Sequence, residues 1–137
     1  MAKTANSYIL PQGNRTPCCI LTAAKASRAN LTDAVKICDA GANDSLVKGV
    51  WATPRDAMAA ANQIALYLYD GATVYLVDIA LMAAYTPWAA TTAPTPTVFA
   101  KPTSDQPIYL PTGWSLYAGM ATALAAGVAV TALIEDY

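Results

Sequence analysis

The chain has 137 residues, 55% of them hydrophobic and only 12% charged, and its nine acids and eight bases leave a net charge of −1 at pH 7. That length bounds it to one domain able to bury a single core. So little charge predicts a protein that relies on packing against partners. The scattered bases, Lys3, Arg15, Lys25, Arg28, Lys36, Lys48, Arg55 and Lys101, form no stripe that could displace counterions from phosphates, which argues against a nucleic-acid binder.

The N-terminus "MAKTANSYILPQGNRTP" has no apolar core of signal-peptide length, so synthesis in a reducing cytoplasm is expected. The sequon matches at Asn14, Asn30 and Asn43 are then chance. "SYIL" reads as a short strand stopped by the turn cluster Pro11-Gln12-Gly13. "CCILTAA" reads as a buried strand. "AVKICDAG" alternates, with Val35 and Ile37 on one face and Lys36 and Cys38 on the other, and "SLVKGVWAT" has the same length. "TPRDAMAAANQ" carries Thr53 as an N-cap, Pro54 at the first helical position and Asp56 three residues on, which predicts one short helix or turn near residues 54–60.

The clearest unit is "NQIALYLYDGATVYLVDIAL". Ile64, Leu66 and Leu68 alternate with Ala65, Tyr67 and Tyr69, Asp70-Gly71 turns the chain, and Val74 and Leu76 return against Tyr75 and Val77, a β-hairpin. Residues 86–107 hold five prolines, which lack ladder donors, so this is a long loop or edge segment. "IYLPTGWSLYAG" and "GVAVTALIEDY" are expected to close the domain as a final strand pair. The uncharged stretch over residues 115–134 is too rich in Ala, Gly and Thr, and too poorly flanked by bases, to predict a membrane span. About eight short antiparallel strands at spacings near ten residues predict an all-β sandwich or barrel.

Histidine is absent, which removes the commonest general base and transition-metal ligand. No P-loop, dinucleotide fingerprint or nucleophile elbow is present. The acidic groupings, Asp39 with Asp44 and Asp70 with Asp78, have the spacing of turn formers. No enzyme, cofactor or metal is expected. Cys18, Cys19 and Cys38 lack redox-loop spacing and are too few for a zinc site. They are left as small buried hydrophobes, as an intrachain disulfide, or as an inter-subunit cross-link suggested by the odd thiol. Tyr67, Tyr69, Tyr75, Trp88 and Trp114 are candidate interface aromatics, able to anchor a protein partner or stack on sugar rings, with cross-strand packing as the plain alternative.

Three stretches together resemble small proteins encoded in the structural gene clusters of tailed bacteriophages: "LYLYDGATVYLVDIALMAAYT", "TTAPTPT" ahead of "QPIYLPTGWSLYAG", and "ALAAGVAVTALIEDY". The matching positions are Asp78, residues 80–86, Leu116 and Tyr117, Gly127, and Asp136 with Tyr137. The resemblance covers about the C-terminal half, and Cys18 and Cys19 are not part of the pattern. It implies a virion component on the capsid exterior, a decoration or cement protein bound to the major capsid protein and to copies of itself as a dimer or trimer. On that reading residues 1–16 and 86–107 are arms, and the β domain over residues 17–137 is the body. A neck, tail or fibre component and a carbohydrate-binding β module are the rivals.

Overall fold

A computed structural model of the protein describes residues 11–86 and 96–137. Among them there is no helix; ten strands form two antiparallel sheets packed as a β-sandwich. The larger sheet is built on two long central strands, β4 (Ser45–Pro54) and β10 (Val128–Asp136), paired along their whole length. The free edge of β10 carries β1 (Gly13–Arg15) and β2 (Cys18–Leu21), and that of β4 carries β7 (Thr97–Val98) and β8 (Ile108–Leu110). The smaller sheet runs β3 (Val35–Asp39), β9 (Ser115–Met120), β5 (Asn62–Tyr69), β6 (Val74–Met82).

Strict alternation makes the core. On β10 Val128, Val130, Ala132 and Ile134 are fully buried, while Ala129, Thr131, Leu133 and Glu135 between them are not. Val47, Val50 and Ala52 of β4 share their layer, and Ile64, Leu66, Leu116, Ala118 and Met120 of the smaller sheet meet them. Phe99, Leu110, Met58 and Met82 fill the ends. Burying each such side chain contributes about 1.5–3 kcal/mol.

Several expectations are corrected. Of the helix or turn expected near residues 54–60, the structure has the turn: residues 55–60 form bends, because Thr53 and Pro54 complete the ladder to β10 and Met58 is drawn into a two-way backbone bridge with Tyr85. β9 and β10 are not partners: they lie in different sheets, β9 between β3 and β5 and β10 beside β4. Alternation fails in β3, where a register shift between Lys36 and Cys38 turns Ile37 and Cys38 both inward. The hairpin is real, but Asp70 closes a four-residue loop: its Oδ1 accepts from the Ala72 and Thr73 amides at 2.8 and 2.6 Å, and Gly71 takes φ +101°. The stretch over residues 115–134 divides between β9 and β10, and no described helix is long and apolar enough to cross a membrane. Of the expected arms, Gly13–Arg15 pair with β10 and Thr97–Val98 with β4; residues 1–10 and 87–95 lie outside the described residues.

Candidate functional site

The carboxylates are engaged in closing the fold. Arg15 at the edge of the larger sheet donates to both oxygens of Asp136, at 2.6 and 3.1 Å, and to the Asp39 carbonyl across the seam at 2.6 Å. Ser45, the cross-strand neighbour of Asp136, donates to it at 2.5 Å. Burial pushes the Asp136 carboxyl up, but the Arg15 and Ser45 hydrogen bonds outweigh it and hold it below the usual carboxylate value. Asp39 accepts from Ser115 at 2.5 Å, Asp44 holds Thr112 and Tyr109, and Asp78 accepts the Lys101 amide from the other seam. Asp136, Asp39, Asp44 and Asp78 each tie distant segments together. Among the described residues no group of three or more Cys, Asp or Glu is placed to hold a metal ion.

The three cysteines are free thiols. Adjacent strand residues face opposite ways, so Cys19 is buried in the core while Cys18 is exposed on the outer face of the larger sheet. Cys38 is buried by the bulge in β3. No intrachain disulfide forms. Burial pushes the Cys19 thiol up to about 12 and the Cys38 thiol up to about 11, so both are inert neutral groups.

The candidate aromatics do not share one face. Register sets Tyr75 opposite Leu68, on the inward side of its sheet, where its ring stacks on Trp114 at 5.6 Å with an interplanar angle of 6°. Tyr67 and Tyr69 point to the opposite, outer face. Tyr69 meets Tyr117 edge-on at 6.1 Å, and Lys36 sits 5.9 Å above the Tyr117 ring. Tyr67 is fully buried, because the loop over residues 22–34 crosses the sheet and lays Lys25 over its ring, with Nζ 5.4 Å from the centroid. Gly119 makes that crossing possible: a Cβ there would overlap the Lys25 stem. Trp88 lies outside the described residues.

A second surface was not legible in advance. The outer face of the larger sheet carries Cys18 and Ile20 from β2, Leu133 from β10, Leu46 and Trp51 from β4, Val98 from β7 and Tyr109 from β8, set side by side by the ladders. Ile20 is 45%, Val98 65% and Tyr109 53% exposed. The charges here are Lys48 and Glu135, which pair with each other. Tyr137 also donates to Glu135, and the two bonds, Lys48 first, hold that carboxyl below its usual value. The signal in the sequence was bulky Leu46, Trp51 and Leu133 at outward positions of strands whose inward positions are also apolar. Compared with family models, curated proteins and solved structures, the chain matches none.

Proposed function

We propose that this chain is a structural protein of a tailed-phage virion that decorates the capsid exterior, bridging neighbouring subunits of the major capsid protein and associating with copies of itself as a dimer or trimer. The observation that supports it is the outer face of the larger sheet, which displays Ile20, Trp51, Leu133, Val98 and Tyr109, interspersed with Ala129, Thr131 and Thr53, around an internal ion pair. Exposed contiguous apolar surface on a sheet marks a contact with another molecule. The resemblance of residues 66–137 to phage structural proteins supplies the kind of partner.

Size decides how the face is used. A surface of four strand positions along the length of β10 spans roughly 600 Å² in flat projection. A standard interface takes about 800 Å² from each partner. The face therefore supplies most of one contact and leaves a remainder for a second hold on the lattice, which on this proposal falls to the expected arms over residues 1–16 and 86–107. The carbohydrate-binding alternative needs open ring faces, whereas Tyr75 and Trp114 stack on each other and Tyr67 lies beneath Lys25.

The test is the double substitution Ile20→Asp with Val98→Asp. Both side chains are exposed, so the circular dichroism spectrum and melting temperature stay near those of the parent. Binding to capsids of the same particle falls by about tenfold or more, because two carboxylates are desolvated in the contact. Unchanged binding would contradict the face as the docking surface.

A further inference from the structure

The hydroxyl of Tyr67 is buried and has no hydrogen-bond partner. A phenol in that state is unusual, since a buried donor left unmade costs far more than a made bond returns. Beside it is a cavity of about 40 Å³ lined by Lys25, Arg28, Gln63, Tyr67, Gly119 and Ala121, with Ala65, Ile79 and Met120 completing the wall. The charged groups lining it are both cations. No carboxylate borders it, although Lys25 also feels Asp33.

The donors there exceed the acceptors. Arg28 donates one N–H to the Gln63 Oε1, which leaves the others of its five. The Lys25 ammonium is fixed at the rim by the Asn30 and Thr32 carbonyls, at 2.7 and 2.6 Å, so its charge is held in place. Burial raises the Tyr67 phenol above its ordinary value, with Arg28 acting against that rise, so the group is a proton donor at neutral pH. A negatively charged acceptor complements this set of donors. The cavity is about three times the roughly 10–15 Å³ that one water needs, which is room for a group of a few heavy atoms.

We propose that this cavity binds a small carboxylate, either a free acid or the side chain of an Asp or Glu on another protein, held between the Tyr67 hydroxyl and the Arg28 guanidinium under the Lys25 charge. The carboxylate accepts from both groups, and charge-assisted bonds of this kind are about twice as strong as neutral ones. No feature of the proposed capsid role is needed for it.

Titrating the full chain with sodium formate, and separately with N-acetyl-glutamate amide, tests this with amide chemical shifts and melting temperature as readouts. The expected result is saturable movement of the Gly119 and Ala121 amides and a rise in melting temperature with formate. Tyr67→Phe, which keeps the ring beneath Lys25, and Arg28→Ala, at an exposed position, each weaken the affinity by about tenfold. Binding of the capped glutamate as well assigns the site to a protein side chain; formate alone assigns it to a free acid. Linear, unsaturated shifts, or shifts of equal size in all three proteins, would overturn the proposal.

Discussion

Cys18 and Cys19 show how one peptide step separates two chemistries. The strand turns one thiol to solvent and the other into the core, where desolvation removes its reactivity. Iodoacetamide is therefore expected to modify one site, Cys18, in the native protein, and Cys19 and Cys38 only after denaturation, read as intact mass with and without urea. Rapid native labelling of all three would contradict the packing. At Asp136 the balance is electrostatic. Its folded value lies below its unfolded value, so it contributes stability that is present above about 3.8 and is lost as pH falls through the folded value. In Arg15→Ala burial acts with less opposition and the carboxyl rises. The deficit of that variant should be greatest at neutral pH and shrink below 3.8, the ordinary carboxyl value. A deficit independent of pH in denaturant melts would show that Arg15 acts through packing alone.

At the scale of elements, the sequence made the strands legible and left their partners open. Period-two alternation marked β5 and β6, while β4 and β10 were read as strands from apolar runs bounded by turn residues. Sheet membership was not legible: β9 and β10 are adjacent in the chain, yet each finds its ladder with strands far away in sequence. Bulges were equally hidden, since Ile37 and Cys38 reach the same side only through a pairing shift against β9. The helix signal at Thr53 lost to tertiary pairing, which overrides weak local preference. Asn62 illustrates an element end that no pattern shows. Buried at the start of β5, it donates to the Thr122 carbonyl at 2.8 Å and accepts from the Thr122 amide at 3.0 Å, continuing the ladder with a side chain. Asn62→Ala removes both bonds and should cost about 1–3 kcal/mol in urea denaturation. A loss under a few tenths would mean that water replaces the amide.

Across the whole molecule the two sheets present different outer faces. The smaller is roofed in part by the loop over residues 22–34, carries Tyr67, Tyr69, Lys25 and Arg28, and also exposes Leu76 and Leu81; the larger has no such roof. That asymmetry was only partly readable. The candidate aromatics were found, but burial of Tyr67 depends on a lysine reaching it from a distant loop, and Trp51, Val98 and Tyr109 become neighbours only through the ladders to β4. Cys18 lies at the margin of the open face, so self-association there, if it competes with capsid docking, has a covalent readout. Where copies meet through this face with Cys18 paired, dimers appear in non-reducing gels and collapse on reduction, and Cys18→Ser abolishes them.

The most direct measurement is the number of copies of the chain per purified particle, by quantitative mass spectrometry against the major capsid protein. Decoration of the capsid predicts a ratio to capsid subunits that follows the lattice symmetry. A threefold or sixfold number per particle, independent of capsid size, would contradict it and assign the chain to the neck, tail or fibre.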